Sequence, residues 1–232
     1  MAAPIKIISA NGMREVIADT RAAYAAASGR PLAVTVVETG EIRRRVLAGE
    51  PFDVIMVPQA VAEQFEQAGR LMPGSAVPLI RVDFGLAVRA SGPVPDVGTP
   101  EALKRAFLAA NKVLITDPKT GGISGVHLME VLEKLGIAGA MKDKLAPNPG
   151  GAIHAARVVA GEADLAVQAE HEIRSVPGAR FLPYPAPFAK AMVLVGGIGA
   201  ASADAQAARD YLAFMVSDKT AAAYAAHHLT RG

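Results

Sequence analysis

The feature that most constrains this chain is an alternation: short β-branched runs are followed repeatedly by segments with apolar residues at helical spacing. IKIIS (residues 5–9) reads as a strand, and Met13, Val16, Ile17, Ala23 and Tyr24 then recur at the helical period until Ser28 and Gly29 close the segment. LAVTVVE and DVIMV are further strands, each followed by a helix, GEIRRRVLAGE and PQAVAEQFEQAG, the latter with Pro58 near its first turn. After an extended run over 80–90, the helix EALKRAFLAAN opens on Thr99 and Pro100 as N-cap and first turn. The strand KVLITD, the helices SGVHLMEVLEKLG and GGAIHAARVVAGE, and the strand ADLAVQ follow. The strand AKAMVLVGGIG then returns, and two Ala-rich helices over 204–215 and 219–228 end the chain. Such alternation predicts an α/β fold with mostly parallel sheets.

Two extended segments, near 80–90 and 190–198, separate two sets of strand–helix units. If both cross between lobes, residues 1–82 and 189–232 form one lobe and 83–188 the other. A chain of 232 residues has enough core for two such lobes. There are no cysteines, which removes thiolate metal sites, Cys nucleophiles and disulfides. A net charge of +2, interleaved basic and acidic residues and no Trp argue against nucleic-acid binding. No run approaches the ~18 apolar residues of a membrane span. The N-terminal apolar run is too short for a secretory leader, so the chain as written reads as cytoplasmic, or as periplasmic if a leader precedes it.

Four junctions place small polar residues or Gly just before a helix: residues 9–12 (Ser9, Asn11, Gly12), Thr39 and Gly40, residues 121–125 (with Ser124 and Gly125), and residues 149–152 (with Gly151 and Ala152). A helix start offers unsatisfied N–H groups and a positive dipole end, and glycine lets a ligand approach the backbone. Each junction alone is also an ordinary cap; four together fit an anion site. Arg81, beside the first extended segment, is a candidate carboxylate ligand or else a salt-bridged surface residue. The run Arg43–Arg45 points in several directions and reads as solvated. TGGISGV lacks the Lys-Ser/Thr of a phosphate loop, and GGIGAAS (196–202) has no βαβ unit after it, so it reads as a strand and turn. The five histidines form no metal pattern, and neither a metal nor an organic cofactor is expected. Were the chain an enzyme, Glu38, Asp117, His154 and Glu170 would be the candidate bases.

Over nearly its full length the chain resembles the type II periplasmic binding proteins of the molybdate-binding family. The blocks that carry the resemblance are IISANGMREVI, TGEIRRRVLAGEPFDVIMVP, ITDPKTGGISGVHLMEVLEKLGI, PGGAIHAARVVAGEADLAVQ and YLAFMVSDKTAAAYAAHHL. The resemblance implies a two-lobed type II fold with two crossover strands, a ligand cleft between the lobes, and an oxyanion held by loop hydroxyls and amides. By position it implies Ser9 as the first-loop serine, Thr39 as the second-loop hydroxyl, and Ser124 with Gly151 and Ala152 at the second-lobe loops. The Ser-Ala-Asn-Gly first loop and Gln168, which stands where molybdate binders usually have Tyr, depart from the pattern and point toward an organic acid. The blocks are most similar to a sub-branch that includes aconitate isomerase. That implies two alternatives: an anion-binding monomer serving an ABC permease, or a cofactor-independent isomerase on the same scaffold.

Overall fold

The structure, a computed structural model, describes residues 2–120, 122–148 and 153–232. The chain folds as two compact units, one built from residues 1–81 and 192–232 and the other from 82–191. In the first, β1 (Ile5–Ser9), α1 (Arg14–Ser28), β2 (Leu32–Val36), α2 (Thr39–Leu47), β3 (Val54–Pro58) and α3 (Gln59–Gln67) alternate in chain order. β4 (Val77–Arg89) then runs from the first unit into the second without a break. The second unit continues with α4 (Pro100–Ala109), β5 (Val113–Thr116), α5 (Ile123–Lys134), α6 (Ala138–Met141), β6 (Leu145–Asn148), α7 (Ile153–Val159), β7 (Leu165–Ala169), α8 (Glu170–Arg174) and β8 (Ala179–Pro183). β9 (Ala191–Ile198) carries the chain back, and α9 (Ala205–Met215), α10 (Ala221–Ala226) and β10 (Thr230–Arg231) complete the first unit.

In the first unit the strands lie in the order β2-β1-β3-β9. β1 runs parallel to both β2 and β3, with Ser9 opposite Val36 and Met56, while β9 is antiparallel to β3. Every residue of β3 is buried, as its central place requires, and the apolar VIMVP run supplies it. In the second unit β8 and β7 both pair antiparallel with β4, and β5 pairs parallel with β7 and β6. Ala87, Leu114, Ala155, Val158, Ala166 and Ile173 form a core there, small residues alternating with branched ones so that α7 and α8 lie close on the strands.

The glycine run after residue 195 is a packing device. A Cβ on Gly196 would sit 2.4 Å from Leu212 Cδ2, and one on Gly199 would sit 2.3 Å from the Phe52 carbonyl. β9 is antiparallel to its neighbour β3, so no βαβ unit carries these glycines and the resemblance to a dinucleotide fingerprint is only in spelling. Several expectations need adjustment. β6, β8, β10 and α8 have no counterpart in the sequence reading. The last helix ends at Ala226, with His228 in the left-handed region at φ 55° and His227 Nε2 2.8 Å from Asp19 Oδ2. Arg44 and Arg45 are not simply solvated: both hold Glu41, at 2.6 and 2.7 Å, and pull its carboxyl down to about 2.

Gly199→Ala is expected to lose about 1–3 kcal/mol, because the Cβ meets backbone that cannot rotate away. Gly139→Ala on α6, where a Cβ meets nothing within 4 Å, is expected to gain up to about 1 kcal/mol of helix propensity. Urea denaturation at constant m separates the two.

Candidate functional site

Parallel strands put their carboxyl ends on one edge of a sheet, and the helices that follow begin there. In the first unit that edge gathers the ends of β1, β2 and β3 and the starts of α1, α2 and α3. None of these three helices has a side-chain cap. In the second unit the ends of β5, β6 and β7 share an edge, and α5 starts from it; its N-cap residue, Gly122, has no side chain, and Thr116 at the end of β5 takes its third amide and leaves the first two. By contrast α4, which starts after a loop, and α9, which follows the antiparallel β9, are capped by Thr99 and Asp204 accepting the third amide of each helix.

Ser9 is fully buried, and its Oγ donates 2.9 Å to the Ala10 carbonyl. β1 is held beyond it on both sides, by Ala10 N–H to Met56 O at 2.8 Å and Val37 N–H to Ser9 O at 3.1 Å. Asn11, Gly12 and Met13 then make a single 3-10 turn into α1. Asn11 is exposed and reaches sideways, its Nδ2 donating to Glu38 Oε1 at 2.5 Å, while its Oδ1 accepts from Arg14 Nη2 at 2.8 Å. Glu38 stands at the N-cap position of α2 with its carboxyl turned to Asn11 rather than to its own helix. Thr39 and Gly40 thus form the first turn of α2, half-buried and exposed respectively.

In the second unit the centre is Thr116, at the end of β5. Its Oγ1 accepts the Gly125 N–H at 2.9 Å and lies 2.9 Å from Ser124 Oγ. Ser124 is buried and its hydroxyl also faces the Val167 carbonyl at 3.4 Å, so it ties α5 to β5 and β7. Gly125 is obligatory here, because a Cβ would fall 2.0 Å from the Thr116 carbonyl. Gln168 is fully buried at the end of β7. Its Oε1 accepts the Ala155 N–H at 2.8 Å, and its Nε2 donates to Glu172 Oε2 at 3.2 Å. Glu172 is partly buried, and loss of solvent pushes its carboxyl above the ordinary carboxylate range, against the hydrogen bonds from Ala169 and Gln168. Gly151 and Ala152 lie outside the described residues. Arg81 is exposed on β4, opposite Thr230 of β10.

Asn11, Gly12, Thr39 and Gly40 are therefore brought together on one edge of the first unit. Ser124, Gly125 and Gln168 meet at the corresponding edge of the second, with their side chains or Cα positions engaged in holding the helix starts. The candidate bases are likewise committed. Glu38 holds Asn11, Asp117 accepts the Lys119 N–H at 2.9 Å, Glu170 pairs with Arg174 at 2.6 Å, and His154 is fully buried. The sequence reading missed Arg14, Thr116 and Glu172. Arg14 stands three residues after Asn11 at helical spacing, a signal that was available; the other two depend on strand neighbours. Among the described residues no group of three or more His, Asp or Glu side chains is placed to hold a metal ion. Each unit also has a groove, of about 460 Å³ beside Lys6, Arg30 and Asp53 and about 420 Å³ beside Arg89, Val94 and Asp164. Both lie toward the amino-terminal edges of the parallel strands, and the first is also bordered by the start of α9, where Asp204 takes the third amide.

A sheet of parallel strands in each unit, with the chain crossing once in β4 and once at the start of β9, defines the two-lobed type II periplasmic-binding-protein fold. Residues 5–230 match the model of the bacterial extracellular solute-binding proteins, and the chain belongs to that family. It is 28% identical over 229 residues to the aconitate isomerase of a Pseudomonas species, covering 94% of this chain and 84% of that protein. Its fold is similar to a substrate-binding domain assigned to a molybdenum ABC transporter of Clostridium difficile, with a TM-score of 0.82 and 17% identity over 100% of both chains. It is also similar to the periplasmic molybdate-binding protein of Azotobacter vinelandii, with a TM-score of 0.69 and 18% identity over 97% and 98% of the two chains. Among the described residues no helix is long and apolar enough to cross a membrane.

The raised pKa of Glu172 has a definite sign in stability. The folded protein holds this proton more tightly than the unfolded chain does. The penalty for ionisation is absent below the unfolded carboxylate range and complete above the folded value, so stability at this site falls as pH rises between them. Glu172→Gln is expected to melt with the native protein near about pH 4 and above it near about pH 7, as followed by circular dichroism.

Proposed function

We propose that this chain is a solute-binding protein for a small anion, an organic di- or tricarboxylate or an oxyanion, and that it delivers this ligand to an ABC permease. The observation that carries the reading is the set of uncapped helix starts at the carboxyl edges of the parallel strands. Amides such as those of Thr39 and Gly40 in α2, and of Ile123 and Ser124 in α5, have no acceptor within their own helices. An anion supplies one, and the helix dipoles favour it. Asn11 and Gly12 adjoin the first of these sets, and Arg81 would add a cation if the ligand carries carboxylates. In this reading Ser9, Ser124, Gly125 and Gln168 shape the loops, and their hydroxyls and amide are spent on backbone and side-chain partners.

A second reading is favoured by the likeness to aconitate isomerase, which extends over most of both chains. An isomerase of that type removes a proton from one carbon and returns one to another, so it needs a group that titrates near neutrality. Of the carboxylates at these edges, Glu172 has its pKa displaced in that direction. Glu38 and Glu170 already hold partners. The binding reading therefore leads.

Differential scanning fluorimetry with trans-aconitate, citrate, malonate, sulfate and molybdate tests the first reading. A ligand at ~100 times its dissociation constant should stabilise the fold by about 2.7 kcal/mol, which is a shift of several degrees. A flat response to all five would remove it. Incubation with trans-aconitate followed by proton NMR tests the second, which predicts that the cis isomer accumulates; unchanged substrate after prolonged incubation at high protein concentration removes it.

A further inference from the structure

Given the anion-binding reading above, we infer that Arg14 is a ligand-recognising cation of the first unit, which holds one carboxylate of a di- or tricarboxylate and which a single tetrahedral oxyanion does not need. Arg14 is exposed and begins α1, at the carboxyl end of β1. It is not a loose surface arginine. Its Nη2 is pinned to Asn11 Oδ1, and Asn11 is pinned in turn to Glu38, the residue before Thr39 and Gly40. β1 and β2 are adjacent and parallel, so this three-residue relay joins two neighbouring loops of the same edge and fixes the guanidinium beside the uncapped start of α2.

The form of the relay matters. Arg44 and Arg45 show what a direct pair does on this protein: Arg44 lays Nε and Nη2 on the two oxygens of Glu41, at 2.8 and 2.6 Å, and the fork is consumed. At Arg14 a neutral amide is interposed between guanidinium and carboxylate. The amide orients the cation through one N–H, and among the described residues no acid contacts the guanidinium. Among the described residues Arg14 makes no further hydrogen bond; each Nη carries two N–H groups, so with one Nη2 hydrogen on Asn11 one of the two parallel pairs, Nε–Nη2 or Nη1–Nη2, keeps both its donors. That geometry matches a carboxylate bidentately. Because the side chain is already held, less rotamer freedom is lost when the ligand arrives. Glu38 is the nearest acid along the relay, and it is held by Asn11.

Isothermal titration calorimetry with trans-aconitate, citrate and molybdate, on the native protein and on Arg14→Ala, Arg14→Gln and Arg14→Lys, tests the assignment. Arg14→Ala and Arg14→Gln are expected to weaken carboxylate binding at least tenfold, and Arg14→Lys to recover part of it as a point charge without the fork. Gln keeps a donor for Asn11 Oδ1, so a residue that merely staples the loops would show normal affinity in Arg14→Gln; that result overturns the inference. Native protein that binds molybdate but neither carboxylate also overturns it while leaving the anion reading intact. Native protein that binds none of the three overturns both.

Discussion

The first-turn N–H groups of a helix have no acceptor within the helix, and the way this chain disposes of them governs much else. Where a helix starts away from the carboxyl edges it is capped from the side: Thr99 serves α4 and Asp204 serves α9. Where a helix follows a parallel strand of the first unit, α1, α2 and α3 begin without such a cap, and at α5 Thr116 takes the third amide and leaves the first two. Unsatisfied donors cost free energy unless water or a ligand takes them. Their collection on one edge of each sheet is therefore a physical requirement for an acceptor there, met by solvent or by an anion.

Holding those edges in shape falls to residues that do not reach outward. Thr116 takes the Gly125 amide, and Gly125 has no room for a side chain against the Thr116 carbonyl. Gln168 performs a similar task for α7 by accepting the Ala155 N–H, and its orientation is set by Glu172. In the first unit the relay from Arg14 through Asn11 to Glu38 links the β1–α1 and β2–α2 loops. Polar residues at these positions thus divide into a buried set that fixes helix starts and an exposed set around Asn11, Arg14 and Thr39. In a chain with a net charge of only +2, the proposed anion site draws on backbone amides and a few oriented donors in place of a massed positive charge.

Family membership and the two-lobed fold narrow the chemistry without naming the ligand. Structures of similar fold are named for molybdenum or molybdate, whereas the relative from Pseudomonas is named for aconitate. In this chain Ser9 is turned inward to the Ala10 carbonyl, and an asparagine and an arginine hold the exposed positions of the first loop.

Much of this was legible in the sequence, because periodicity is a local property. The strand–helix alternation, the Thr99 cap and the glycines at helix starts follow from neighbouring residues alone, and the blocks that resemble the molybdate-binding family are contiguous. The short β6 and β8 were not legible; LAPN and ARFLP have little apolar alternation and are strands because β5 and β4 offer them edges to pair with. The same holds for the site. Sequence position placed Ser9 and Ser124 near helix starts and the family resemblance singled out Gln168, but only tertiary structure decided that their polar atoms face the Ala10 carbonyl, Thr116 and the Ala155 amide. The reason is physical: a hydroxyl or amide takes whichever partner lies within 3 Å or so of it. Ala10 is the next residue to Ser9, but Thr116 and Ala155 lie 8 and 13 positions from Ser124 and Gln168, and the fold brings them close.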